Sequence, residues 1–154
     1  MSTITNSGGH LTYPNLPVFQ ANAVNTISLT SSFVEQANVY TEVEINRGNH
    51  YNATTGRFTA PVAGIYQFGV ASIGGNANVV FRWRFYKNGV NTEFELRLDG
   101  GATGSEYQPN GSMEVYLELA ADDYVSVYAR SDDGSDAFGD ALNKYSYFNG
   151  RFIG

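Results

Sequence analysis

The feature that most constrains this chain is the interleaving of turn residues with short apolar runs between Asn46 and Val70, reading NRGNHYNATTGRFTAPVAGIYQFGV. Asn46, Gly48, Asn49, Asn52 and Gly56 open the stretch, Arg57-Phe58-Thr59-Ala60 follows, and Pro61 and Gly64 turn the chain into a second run that starts at Ile65. Proline fixes φ and offers no amide proton to a ladder, while glycine takes backbone geometries closed to other residues. That punctuation breaks a helix within a turn or two. Two strands meeting at a tight corner is the arrangement it allows.

The same period-two pattern runs through the rest of the chain. Phe19-Gln20-Ala21 and Ile27-Ser28-Leu29 alternate after Val18, and a longer run sets Val39, Thr41, Val43 and Ile45 against Tyr40, Glu42 and Glu44. Past the corner, Tyr66, Phe68 and Val70 share a face. The most amphipathic strand carries Val79, Phe81, Trp83 and Phe85 against Val80, Arg82, Arg84 and Tyr86, which puts the lone tryptophan in the core. Asn88-Gly89 is a hairpin signal, because both central positions of that turn need positive φ. Thr92 to Leu98 then returns with Phe94, Leu96 and Leu98 inward, and Met113, Val115, Leu117 and Leu119 alternate against Glu114, Tyr116 and Glu118. Tyr124 to Arg130 and Tyr145 to Ile153 supply the closing strands. Some eight to ten short strands without a helical stretch make an all-β sandwich.

With 154 residues the chain forms one domain, and it holds no cysteine to staple or to react. A formal charge of −6, with Lys87 and Lys144 the only lysines, opposes binding to nucleic-acid phosphates. No run is long and apolar enough for a membrane span, and Met1 is followed by polar residues rather than a secretory leader. Taken as a full gene product, the chain is expected to be made in a cytoplasm without standard export. Residues 1–16 are polar and glycine-bearing and read as an arm, either a disordered leader or a segment docked on a partner; residues 17–154 form the sandwich.

Tyr40, Asn46, Tyr51, Phe58, Gly64, Tyr66 and Phe68 fall at the intervals of a known signature. By them the chain resembles the C1q-type globular head, the complement and tumour-necrosis-factor-like jelly roll. Three further segments agree in order: Tyr86-Lys87-Asn88-Gly89, Val115 to Val125, and Phe148-Asn149-Gly150-Arg151-Phe152-Ile153. The departures are Tyr40 for the usual Phe, Val70 for an aromatic, and Ala121-Asp122-Asp123 for Gly-Asp, so only Asp123 carries over cleanly there. The resemblance implies a ten-strand jelly-roll β-sandwich assembled as a homotrimer, with inner strand faces packed around a three-fold axis.

Eleven tyrosines and ten phenylalanines exceed what one small interior must hold, and tyrosine suits surfaces that are packed on one side and wet on the other. Subunit contact is the natural sink, with Tyr124, Tyr145, Tyr147 and Phe152 as candidates for the trimer interface. Asp122 and Asp123 in one turn, and Asp132, Asp133 and Asp136 in another, offer the hard oxygen ligands that calcium takes. Calcium held by acidic loops near a trimer apex is what the resemblance implies; otherwise no cofactor is expected. Asp99, Glu106 and Tyr107, in the long loop from Asp99 to Gly111, are candidates for ligand contact, since loops on a rigid sheet are free to vary in chemistry.

Catalysis finds little support. His10 and His50 are the only histidines, and no nucleophile stands at a recognisable spacing from a base. Glu42 with Glu44, Glu93 with Glu95, and Glu114 with Glu118 show the spacing of solvated strand faces. Arg82 and Arg84 read as partners for nearby glutamates. The expectation is therefore a non-enzymatic virion structural or recognition protein: a trimeric phage head decoration protein or short fibre head, of phage or bacterial origin. It would sit on the virion surface, docked to a capsid or tail protein through residues 1–16. The alternative is an extracellular C1q-like protein that binds glycans or cell-surface ligands through apical loops, where Asn52-Ala53-Thr54 and Asn110-Gly111-Ser112 would be glycosylation sequons.

Overall fold

The structure, a computed structural model, describes residues 5–7, 10–12, 16–76, 78–100 and 108–154. In chain order its strands are β1 (Thr5–Ser7), β2 (His10–Thr12), β3 (Val18–Ala23), β4 (Val34–Glu35), β5 (Tyr40–Arg47), β6 (Tyr51–Asn52) and β7 (Arg57–Thr59). They continue as β8 (Gly64–Gly74), β9 (Val80–Lys87), β10 (Val90–Asp99), β11 (Asn110–Leu119), β12 (Tyr124–Ser131), β13 (Ala137–Phe138) and β14 (Tyr147–Phe152). Among the described residues, the strands β1 and β2 pair only with each other.

Two six-stranded sheets form the sandwich. The first runs β11-β8-β14-β3-β5, with β13 on β8; the second runs β10-β9-β12-β7-β6, with β4 on β12. Every pairing is antiparallel, and strands distant in sequence lie side by side, as β8 does with β11 and β14. This is the expected jelly roll.

Alternation explains which side chains meet between the sheets. Tyr66, Phe68 and Val70 from β8, Phe81, Trp83 and Phe85 from β9, and Val125, Val127 and Ala129 from β12 are buried. Phe148 of β14 is the hub: its ring lies 4.8 Å from Phe19, 5.8 Å from Tyr51, 6.0 Å from Tyr40 and from Phe85, and 6.2 Å from Phe68. Edge and tilted ring pairs of this kind add to area burial. This aromatic network packs together with buried aliphatic residues such as Ile27, Leu117, Leu119 and Val127.

The corner behaves as its residues require. Gly56 has φ +69° and leaves no room for a side chain, since a Cβ there would meet the carbonyl oxygen of Gln36 at 2.5 Å. Asn88 and Gly89, at φ 51° and 76°, close the β9–β10 hairpin with positive φ at both positions.

One inward assignment fails. Phe94 is 46% exposed, because Glu93 takes φ 69° and the β9–β10 register shifts between Asn91 and Glu95, which turns the side chain out of the alternation. In β5 the apolar Val43 and Ile45 are exposed, while Tyr40 is fully buried; β5 is an edge strand whose pairing with β3 slips twice.

Candidate functional site

Two outward faces carry the surface chemistry. On the second sheet, β12 alternates Val125, Val127 and Ala129 inward with Tyr124, Ser126, Tyr128 and Arg130 outward. Pairing brings Arg57 of β7 and Tyr86 of β9 beside Ser126, and Glu35 of β4 and Arg84 of β9 beside Tyr128. Tyr86 and Tyr128 stack with centroids 3.7 Å apart, Arg57 lies 4.3 Å over the Tyr124 ring, and Arg84 lies 4.4 Å over Phe33.

The charges on this face are paired. Arg57 grips Glu35 through Nε and Nη2 at 2.7 and 2.8 Å, Arg84 donates to Glu95 at 2.7 Å, and Asp132 pairs with both Arg82 and Arg130. The Arg57 guanidinium holds the Glu35 carboxyl below its usual range, while burial beside Glu35 and Tyr124 pushes the Tyr128 phenol up. Ser126 is fully buried beneath this layer, and its Oγ makes no hydrogen bond of normal geometry. The expected pairing of Arg82 and Arg84 with a glutamate is present, as both reach Glu95.

The first sheet presents amides. Arg151 Nε donates to Gln67 Oε1 at 2.8 Å, Gln67 Nε2 donates to Glu114 at 2.8 Å, and Asn149 Nδ2 donates to Gln20 Oε1 at 3.1 Å. These side chains and Ile45 line a shallow cavity of about 280 Å³. At one end a second cavity, also about 280 Å³, lies between Ile73, Ser112, Tyr145 and Tyr147. Exposed apolar groups flank the face: Val43 and Ile45 on the β5 edge, and Tyr116, 62% exposed, on the β11 edge.

The four aromatic candidates do not converge. Tyr145 and Tyr147 share the cavity on the first sheet, whereas Tyr124 stands on the second sheet. Phe152 turns inward and packs edge-on against Tyr66 at 5.1 Å. The parity of β14 separates it from Tyr147, because residues an odd number apart point to opposite faces.

The acidic candidates fall into two groups at opposite ends of β12. Asp123 accepts from Asn88 Nδ2 at 2.6 Å and the Ala120 amide at 2.7 Å and pairs with Lys87, which holds its carboxyl down at about 2, while Asp122 is in the same turn at φ 69°. Beyond the other end, Asp132 is taken by arginines, Asp133 caps the Ser135 amide and Asp136 accepts from the Leu29 amide. An eight-residue strand spans about 26 Å, far beyond a shared coordination shell. Among the described residues no group of three or more acidic or histidine side chains is arranged to hold a metal. These residues do not fit the calcium site. Of the loop candidates, Asp99 is exposed and pairs with Arg97, and Glu106 and Tyr107 lie outside the described residues.

Sequence reading missed the tyrosine and arginine layer because its members come from separate strands. The alternation Tyr124-Ser126-Tyr128 was the available signal. Which arginines stand beside it depends on sheet order.

Known proteins resemble the chain along most of its length. The model of the C1q domain family matches residues 18–153. The rat complement C1q tumor necrosis factor-related protein 5 is 30% identical over 97 residues, covering 58% of this chain and 39% of that protein. The mouse complement C1q tumor necrosis factor-related protein 7 is 25% identical over 111 residues, covering 71% of this chain and 37% of that protein. The chain thus spans about two fifths of the length of these relatives. Among solved structures, the globular domain of zebrafish complement 1qA superposes with a TM-score of 0.61 at 17% identity over 90% of this chain and 98% of the other. Murine APRIL gives 0.63 at 15% identity over 90% and 100%. Both share the fold. The rat, human and mouse relatives overturn the expectation of a phage head decoration or fibre protein docked on a capsid or tail through residues 1–16, since all are animal proteins named for C1q and tumor necrosis factor.

Proposed function

From the premise that this chain belongs to the C1q domain family, we propose that it is an extracellular recognition module, working as a homotrimer that binds glycans or cell-surface ligands. The chain is not an enzyme; the domain families it matches are recognition and signalling modules. The observation that carries the trimeric reading is the first sheet's outward face, where amides and small residues lie between exposed apolar groups on both edges. A head-to-tail contact joins two different patches of one subunit, and such contacts close into rings. The Ile45 edge of one copy and the Tyr116 edge of the next are the patches that fit. Tyr145 and Tyr147 would lie within the contact, while Tyr124 and Phe152 would not.

The test is native mass by light scattering across a range of protomer concentrations. Three times the 16.8 kDa of one chain is expected, and a single-chain mass at every concentration overturns the trimer. Capture by intact animal cells then tests recognition. A chain whose residues 100–107 are replaced by a short glycine linker should lose capture if that segment makes the contact.

A further inference from the structure

We propose that the outward face of β7, β9 and β12 is a platform for a neutral saccharide, built on Tyr86, Tyr128 and the Arg57–Glu35 pair. This deepens the recognition reading and rests on its glycan branch, but it moves the contact from the loops to the sheet.

The argument begins with charge. Arg57, Arg82, Arg84 and Arg130 are set against Glu35, Glu95 and Asp132, and each arginine is already paired. An anionic ligand would have to compete with carboxylates at contact distance, so the face disfavours phosphate and sulfate. A sugar hydroxyl has no such conflict, because it both donates and accepts. Arg57 spends Nε and Nη2 on Glu35 and keeps further N–H groups free, and each Glu35 oxygen retains a lone pair. A fixed arginine–carboxylate pair therefore offers adjacent donors and acceptors, which is what neighbouring hydroxyls on a pyranose ring require. Its side chains are ordered in advance, so little conformational freedom is lost on binding.

Apolar contact comes from the tyrosines. Tyr86 and Tyr128 are half-buried and stack at 3.7 Å with 17° between their planes. Each ring spends one face on the other, so the C–H groups of a sugar would meet the outer faces and hydroxyl edges of the pair. The buried Ser126 Oγ, on the outward side of β12, lies under the same layer beside the Glu35 carboxylate, which its hydroxyl helps to hold in the charged form.

The experiment is an amide chemical-shift titration of the intact, isotope-labelled chain with maltotriose and with triacetylchitotriose, and with a heparin disaccharide as the anionic comparison. Saturable shifts at Arg84, Tyr86, Ser126 and Tyr128 with a neutral trisaccharide are expected. Tyr128→Ala should weaken binding about two- to tenfold. Arg57→Lys, which keeps the charge and loses the fork, should also weaken it and serves if Tyr128→Ala does not fold. Tyr116→Ala, on the other sheet, should leave it unchanged. Shifts confined to the loop from Asp99 to Gly111 overturn the platform and leave loop recognition standing. Response to heparin alone overturns the neutral-ligand assignment. No saturable shift with either neutral sugar overturns the platform, and the cell-capture test then decides the recognition reading independently. Capture that is lost in Tyr128→Ala but survives enzymatic removal of cell-surface glycans overturns the saccharide in favour of a protein partner.

Discussion

Gly150 of β14 tests how tightly the aromatic network is packed. A Cβ added there would stand 2.6 Å from Phe68 Cδ1, 2.7 Å from Phe19 Cε1 and 2.8 Å from Phe68 Cε1. Carbon atoms rest about 3.5–4.0 Å apart, so Gly150→Ala requires both rings to retreat by about 1 Å. Neither has an easy path. Phe19 is stacked on Tyr51 at 4.6 Å and on Phe58 at 5.2 Å, and Phe68 is hemmed by Phe58 at 5.5 Å and Phe85 at 6.2 Å. Overpacking of this kind costs about 1–3 kcal/mol, and the reduced freedom of the unfolded chain offsets roughly 0.4–1 kcal/mol of it. A net loss of about 1–2 kcal/mol should lower the melting temperature by about 2–8 °C, measured by calorimetry at fixed protomer concentration. A second arm tests the cause. Phe68→Leu should cost less in the Gly150→Ala background than in the parent, with a coupling of at least about 0.5 kcal/mol. A variant that melts at or above the parent, or strictly additive costs, would refute the account of a methyl group forced between two fixed rings.

Other outcomes follow from buried and charged groups. Tyr51 OH donates to the Tyr40 carbonyl at 2.9 Å in the interior, so Tyr51→Phe should cost about 1–2 kcal/mol by urea unfolding. Tyr40 OH is buried beside the Trp83 indole N–H, which has no other acceptor among the described residues, so Tyr40→Phe should cost up to about 1 kcal/mol in the same measurement. Asp123 has its carboxyl lowered from 3.8 to about 2 by Asn88, Lys87 and the Ala120 amide, so its charge stabilises the fold above 3.8 and ceases to do so as pH falls through about 2. The gap in urea midpoint between the parent and Asp123→Asn should accordingly be widest at neutral pH and close towards pH 2; a gap constant with pH contradicts this. Ile45→Asp places a charge on the proposed subunit edge and should reduce the native mass to the 16.8 kDa of one chain with an unchanged far-ultraviolet spectrum.

Where one face of a strand is buried and its neighbours are in register, the sequence announces the structure. β9 and β11 alternate as their residues indicate, β8 is buried on both faces from Tyr66 to Ser72, and Trp83 is fully buried because its parity matches Phe81 and Phe85. Phe94 escapes that logic because a positive φ at Glu93 shifts parity by one, and nothing in Asn91-Thr92-Glu93 announces it. In β5 the alternation alone does not say which face is inward: Tyr40 is buried, while Val43 and Ile45 on the opposite side are exposed. The candidate surfaces were less legible, since Glu35, Arg57, Tyr86 and Tyr128 reach one spot through sheet order. The arithmetic of β14 did lie in the sequence, and it separates Phe152 from Tyr147.

The two outward faces differ in how much freedom a partner would have to remove. On the first sheet Gln67 and Ala71 are 8% exposed and Asn22 is 2% exposed, and Asn149 lies over Gly69 where any Cβ would strike its amide oxygen at 2.6 Å. The middle of that face is low, and its longer side chains Arg151, Gln67 and Glu114 are already held by hydrogen bonds, so a second sheet can approach with little further loss of rotamer freedom. On the second sheet the side chains are long, yet ion pairs and ring contacts have already fixed them, so a small ligand meets a surface whose ordering cost was met in folding. The first arrangement favours large, flat contact and the second favours small, polar contact. Assigning subunit assembly to one and ligand recognition to the other therefore follows from side-chain entropy as much as from composition. It also requires the two to separate: Ile45→Asp should abolish the trimer and leave saccharide shifts at Tyr128 in place, while Tyr128→Ala should leave the trimer in place and weaken saccharide binding.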